Sequence, residues 1–166
     1  MAVTRLNNNS ITSITALPSG VDVGKVLQVV SDISTTKTTC STTSLTDVAD
    51  LGVSITPSNS SSLIYVTIHL AGMRRVSGSN YFRIELHRQV NGGGYSQAEV
   101  FENGFLYSGS ALVQSSAYTN TWVDDHNQTA QLDYKVQIKK EIAGDSITIN
   151  NDQQEASRIT AMEIAG

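Results

Sequence analysis

The 166-residue chain contains a single cysteine, Cys40, and only two prolines. One thiol excludes an internal disulfide framework and any metal site built from several cysteines. Cys40 lies in "STTKTTCSTTSLTDV", which offers it no neighbouring base, so we expect a buried or half-buried packing residue rather than a nucleophile. The density of β-branched threonine in this stretch predicts a strand from Thr36 to Thr42 rather than a flexible linker.

Charged residues are also scarce: they make up 16% of the chain, and the net charge is -4. Nucleic-acid binding requires a basic face, and the few lysines and arginines are scattered, so no nucleic-acid partner is expected. Long apolar runs are absent as well. We therefore expect neither a signal peptide nor insertion into a membrane.

Short stretches of alternating apolar residues recur along the chain, separated by Gly, Asn and Ser. In "SLIYVTIHLAG" the even-numbered positions Ile64 to Leu70 share one face of a strand, while the opposite face is mixed, as at a second interface. This period of two, together with the lack of helical periodicity, predicts an all-β sandwich or barrel.

Two further segments repeat the alternation. "YFRIELHRQV" places Phe82, Ile84 and Leu86 inside and Arg83, Glu85 and His87 outside, and Asn91 to Gly94 supply the turn of a hairpin between residues 81–90 and 95–102. "LDYKVQIKK" is the second, with Leu132, Tyr134, Val136 and Ile138 on one side. With the segments 24–32, 51–58 and 157–166, about eight antiparallel strands result, close to the number in a jelly roll.

Residues 1–22 differ in pattern from the rest, and we call them the N-terminal arm. Its apolar residues Ile11, Ile14 and Leu17 precede Pro18, which would stop a helix or a strand. A segment of this kind is too small to fold alone. It could pack against its own domain, against identical copies or against a larger particle, whereas residues 23–166 form one β domain.

The polar segment "WVDDHNQ" at 122–128 is the main candidate for chemistry, because Asp124, Asp125 and His126 could hold a cation or act as acid and base. Adjacent strand residues point to opposite faces, however, so a solvated loop after a strand is the favoured interpretation. An enzyme acting on polysaccharide could also use Glu99 or Glu102, but no motif marks one. We expect no enzyme activity, no cofactor and no metal.

Aromatic side chains offer another kind of candidate site. Tyr95, Tyr107 and Tyr118 could form a platform on which sugars stack, together with the polar residues of the 122–128 segment. Tyrosines of this kind also occur in cores and in contacts between subunits. These six residues, Tyr95, Tyr107, Tyr118, Asp124, Asp125 and His126, are our candidates for outward loops that bind a host-surface glycan or receptor.

Three stretches carry a resemblance to a known group: "GKVLQVVSD" at 24–32, "TDVADLGVSITPSNSSSLIYVTIHLAG" at 46–72 and "SRITAMEIAG" at 157–166. Together they resemble small β-rich virion proteins and fibre domains of tailed bacteriophages. The resemblance covers most of residues 24–166 and is strongest at the two ends.

This resemblance implies a jelly-roll-like β-sandwich that forms a homotrimer and is displayed on the virion as a tail fibre tip, spike or capsid decoration. It implies assembly in the host cytoplasm, with the N-terminal arm anchoring the domain to other virion proteins of the capsid or tail. Only about twenty residues precede the domain, which favours a small spike or decoration over a long fibre. A receptor- or glycan-binding module at a fibre tip is the alternative.

Overall fold

The computed structural model describes residues 24–75, 81–107, 113–142, 146–152 and 154–166. Within these residues the chain is all-β, with two antiparallel sheets that enclose one hydrophobic core. The strands are β1 (Val26–Ser34), β2 (Thr38–Cys40), β3 (Thr46–Ile55), β4 (Leu63–Arg75), β5 (Phe82–Val90), β6 (Ser96–Phe105), β7 (Gln114–Asp124), β8 (Leu132–Lys140), β9 (Ile147–Ile149) and β10 (Ser157–Ile164).

The smaller sheet has the order β3-β8-β5-β6. The larger sheet has the order β1-β10-β4-β9-β2, and β7 pairs with the other edge of β4. Successive strands mostly alternate between the two sheets, as in two interleaved Greek keys. The antiparallel sandwich is therefore confirmed, and jelly-roll-like connectivity remains our interpretation of this strand order.

Ten strands are present in the described residues, against about eight predicted, because two long strands of the larger sheet are interrupted. β9 and β10 both pair antiparallel with β4, at Arg74 to Arg75 and at Leu63 to His69 respectively. β1 pairs with β10, and β2 pairs with β9. β1 and β2 therefore lie on one line, as do β9 and β10. Each of these two pairs acts as one interrupted strand.

Asn150 bridges the interruption. Its side-chain amide donates hydrogen bonds to the carbonyls of Ser34 at 2.9 Å and Thr36 at 3.1 Å, and its side-chain oxygen accepts one from the Ser157 hydroxyl at 2.7 Å. Ser157 in turn accepts a hydrogen bond from the backbone N–H of Ala71 at 3.0 Å. Asn150 and Ser157 are almost completely buried, so these bonds satisfy backbone groups that the broken ladder leaves unpaired.

The strand predicted from Thr36 to Thr42 is shorter than expected, since β2 covers only three residues. The backbone N–H of Thr36 donates to the Ser34 hydroxyl, and the Thr36 hydroxyl donates to Asp50. Such local hydroxyl bonds compete with a sheet ladder, which explains the late start of β2. Cys40 is buried, as predicted, and its thiol donates to the carbonyl of Thr42 at 3.2 Å.

The predicted core faces are confirmed. In β4, β5 and β8 the alternate apolar residues have no solvent exposure: Ile64, Val66, Ile68, Leu70, Phe82, Ile84, Leu86, Leu132, Tyr134, Val136 and Ile138. The predicted hairpin is also confirmed, because β5 and β6 pair antiparallel. Glu85 and His87 lie on the opposite side of β5, but both are buried rather than exposed as expected, and the hydrogen bond of 2.8 Å between them satisfies one polar atom of each.

Candidate assembly surface and polar sites

The outer face of the larger sheet carries a straight apolar row. Val29 of β1 is the register partner of Met162 of β10, Met162 is the partner of Tyr65 of β4, and Tyr65 is the partner of Val123 of β7. Because side chains alternate along each strand, these four residues share the face opposite the core. We call them the apolar row. It crosses four adjacent strands, from one edge of the sheet to the other.

Both ends of the apolar row are open to solvent. Val29 is 55% exposed and Val123 is 48% exposed, whereas Met162 and Tyr65 between them are half-buried by their neighbours. Another apolar residue of β1, Ile33, is 47% exposed on the same face. The exposed apolar surface is therefore concentrated on the two edge strands.

The next rows on this face are almost uncharged. One contains the hydroxyl residues Ser31, Thr160, Thr67 and Thr121 as successive register partners. The hydroxyl of Thr160 donates to Ser31 at 3.2 Å, so part of this row is satisfied within the sheet. The following row brings Arg158 and His69 to the face, with His69 Nδ1 3.0 Å from the Thr119 hydroxyl.

The outer face of the smaller sheet is different, because it is covered by paired charges. Lys135 contacts Asp47 at 2.8 Å, and Lys139 contacts Glu141 at 3.1 Å. Burial alone would raise the pKa of Asp47, but hydrogen bonds from Lys135 and Gln137 outweigh it and lower that pKa. Such a network suits contact with water.

Three of the predicted binding residues are tyrosines at the surface or in its crevices. Tyr95 is 42% exposed, but the ammonium of Lys135 lies 4.2 Å from its ring centroid and covers one face. Tyr107 is 61% exposed and meets Tyr81 edge to face. Tyr118 is half-buried and donates its hydroxyl to the carbonyl of Phe101 at 2.9 Å, so it helps to hold β7 against β6.

The three polar candidates separate in the structure. Asp124 is the last residue of β7 and is buried, whereas Asp125 is exposed. Both carboxylate oxygens of Asp124 accept hydrogen bonds from Arg88, at 2.5 and 2.7 Å, and one also accepts from the Tyr134 hydroxyl at 2.6 Å. Asp124 therefore differs from the outward orientation that we expected, because its carboxylate is buried in an ion pair with the half-buried Arg88. Burial and this hydrogen bond to Asp124 raise the pKa of Tyr134.

His126 is also buried rather than outward. Its Nδ1 accepts a hydrogen bond from the backbone N–H of Gln128 at 3.1 Å, so the neutral ring carries its proton on Nε2. That Nε2 has no hydrogen-bond partner among the described residues. In the same part of the chain, no three His, Cys, Asp or Glu side chains are grouped closely enough to hold a metal ion.

Sequence reasoning did not identify Glu163, a carboxyl group whose pKa is strongly lowered. Its side chain is fully buried and accepts hydrogen bonds from the hydroxyls of Ser62 and Ser58 and from the Gln28 amide, at 2.6 to 2.7 Å. Burial alone would raise the pKa of Glu163, but these bonds lower it to about 2. Its position two residues after Ala161, on the inward face of β10, was the available signal.

The anchoring residues Ile11, Ile14, Leu17 and Pro18 lie outside the described residues. No helix in the part of the chain that the structure describes is long and apolar enough to cross a membrane.

No family model matches the chain, and no curated protein is significantly similar to it.

Proposed function

We propose that the protein is a non-enzymatic structural component of a bacteriophage virion, a spike, short fibre or capsid decoration, that assembles as a homotrimer. The observation that carries the proposal is the contrast between the two outer faces. One face is covered by paired charges, and the other presents an apolar row and an uncharged hydroxyl row across four strands. Interface cores are depleted in charge, so the second face suits contact with protein.

The assignment to a virion depends on the resemblance of residues 24–32, 46–72 and 157–166 to phage virion and fibre domains. A display protein of this kind needs a stable scaffold and an attachment segment, and it needs no catalytic group. Consistent with this, Asp124 is neutralised by Arg88 and accepts a hydrogen bond from Tyr134, rather than lying beside Asp125 for acid and base chemistry. The N-terminal arm is the attachment segment in this proposal.

Immunogold labelling of purified phage particles tests the proposal. Antibodies against the domain should label intact particles at one repeated location, and particles assembled with a variant that lacks residues 1–22 should lose the label. The control is a variant with Ile11, Ile14 and Leu17 kept and the three asparagines at 7–9 changed to serine, which should still be incorporated. Particles without any label, in a lysate that contains the protein, would contradict the proposal.

Recognition of a host glycan or receptor is a second candidate function, favoured by the exposure of Tyr95 and Tyr107. Tyrosine rings offer an apolar face for sugar stacking together with a polar hydroxyl. A glycan array probed with the purified protein should give a signal that Tyr107→Ala removes and that Tyr118→Phe, at a half-buried packing site, retains. Absence of binding to glycans and to host cells would leave the structural role alone.

A further inference from the structure

We infer that copies of this chain meet through the outer face of the larger sheet, with the β1 side of one copy against the β7 side of the next. This inference deepens the proposed function and rests on its claim of self-assembly. It assigns the apolar row Val29, Met162, Tyr65 and Val123 to the contact between copies and identifies the partner as a second copy of this chain.

The two edge strands present uncharged side chains on this face. The outward residues of β1 at the apolar row and beyond are Val29, Ser31 and Ile33, and those of β7 are Ala117, Thr119, Thr121 and Val123. None of them is ionisable. At the apolar row and the hydroxyl row, two copies can therefore bring these strands together without desolvating a charge or opposing like charges, either of which would be costly. Arg158 and His69 lie one row further along the face.

The exposed apolar surface of this face lies on its two edge strands. The largest exposures on this face belong to Val29, Ile33 and Val123, which are on opposite edge strands, whereas the centre of the row is already half-buried. A contact that joins two different edges is heterologous, and it closes into a ring of three when successive copies are related by a rotation of one third of a turn. A ring also covers both edges of every copy, as a trimer requires.

The area of the face also suits contact with protein. Four strands spaced about 4.8 Å apart, with about eight residues of roughly 3.3 Å each, present a face of about 500 Å². Each partner in a typical stable interface contributes about 800 Å². Because a ring divides this face between two neighbours, about 250 Å² of it serves each contact, and the edges of β1 and β7 must supply the rest. A small ligand would leave most of the face exposed, whereas two neighbouring copies cover both of its halves.

The N-terminal arm is the competing occupant, because the described chain begins at Gly24, next to β1. Its apolar residues Ile11, Ile14 and Leu17 could in principle cover the row within one copy. Exposed apolar residues lie on both sheet edges, and a contact between copies covers both edges of every copy, which favours the second copy. The full-length chain allows the two occupants to be distinguished by substitution.

The experiment compares full-length variants by light scattering coupled to size exclusion and by sedimentation equilibrium. Val29→Asp and Val123→Lys should each raise the dissociation concentration of the oligomer at least about tenfold, equivalent to about 1.4 kcal/mol. The double variant should recover much of the loss, because the new charges then oppose one another between copies. Within one copy they are about 14 Å apart, three strand spacings, where salt largely screens them.

Three controls keep the result interpretable. Gln97→Asp adds the same charge at an exposed strand position on the smaller sheet and should leave the oligomer intact. Val29→Thr retains a good strand former, so weakened association with an unchanged melting temperature excludes misfolding as the cause. Changing Ile11, Ile14 and Leu17 together to serine should leave association unchanged.

Wild-type protein that stays monomeric at high micromolar concentration would overturn the inference, as would single variants that associate normally. Dissociation of the serine-substituted arm variant to the same extent as Val29→Asp would assign the face to the arm and also overturn it. If particles are labelled but the single variants associate normally, contact between copies through this surface is refuted, whereas the virion role is not contradicted. Unlabelled particles combined with charge-sensitive oligomers would refute the virion role alone.

Discussion

The carboxylate of Glu163, near the end of the last strand, accepts a hydrogen bond of 2.6 Å from the hydroxyl of Ser62, which lies 101 residues earlier. Both residues are fully buried. Ser58 binds the same carboxylate through its backbone N–H and its hydroxyl, each at 2.7 Å. One ionised side chain thus attaches the loop that precedes β4 to strand β10. Glu163 directly follows Met162 of the apolar row, which lies on the opposite face of β10.

Replacing Glu163 by glutamine should reduce stability and alter its dependence on pH. The folded-state pKa of Glu163 is lowered from 4.5 to about 2, so its contribution is fully present above about pH 4.5 and is lost as the pH falls towards 2. Glu163→Gln should cost about 3 kcal/mol at neutral pH and flatten the stability profile between those values. Urea unfolding at a series of pH values measures both effects.

Two loop variants serve as controls for this prediction. Ser62→Ala removes one hydrogen-bond donor to the carboxylate. It should narrow the range of pH over which the stability falls, without abolishing the pH dependence. Ser60→Ala, at an exposed position of the same loop, should change neither the stability nor its slope. A wild-type stability that does not fall between pH 4.5 and 2 would contradict the assigned role of Glu163.

The alternating core faces were predictable from the sequence, but the polar sites were not. Ile64, Val66 and Ile68 could be assigned because a strand's period of two depends only on local order. The partners of Glu163 and Asn150 could not, because those hydrogen bonds join residues about a hundred positions apart, such as Asn150 and Ser34. For the same reason the alternation placed Asp124 near a strand end without indicating that Arg88 would cover it.

Substitution of Arg88 by methionine should destabilise the domain by about 3–5 kcal/mol, because it leaves the carboxylate of Asp124 buried without its cation. Adding Asp124→Asn to this variant should recover a substantial part of the loss, since the remaining group is neutral and can still accept from Tyr134. Guanidinium unfolding of both single variants and the double variant gives the coupling energy.

The pair of Lys135 and Asp47 provides the matched comparison, because the Asp47 side chain is 55% exposed. Lys135→Met should cost less than about 1 kcal/mol, as exposed ion pairs do. Equal losses of unfolding free energy for Arg88→Met and Lys135→Met would show that burial of Asp124 does not determine the energy of its ion pair.

Asn150 should be sensitive both to loss of its side chain and to its backbone conformation. Its φ is 50°, in the left-handed region, and its amide joins the broken strands. Asn150→Gly removes the hydrogen bonds but tolerates this φ, and it should cost about 2 kcal/mol. Asn150→Ala should cost about 1 kcal/mol more because of strain. A smaller loss for alanine than for glycine in thermal unfolding would contradict this account.

A side chain at Gly72 should be costly for two separable reasons. Its φ is 54°, and a Cβ added there would overlap the carboxylate of Glu155. Gly92 has a comparable φ of 74° in the β5–β6 turn but nothing within 4 Å of an added Cβ. Gly92→Ala should therefore cost only the conformational strain, about 1 kcal/mol, whereas Gly72→Ala should cost more. Calorimetric unfolding should also show that Glu155→Ala relieves the excess at Gly72 and has no effect on Gly92→Ala; an equal cost at both glycines would exclude the steric part.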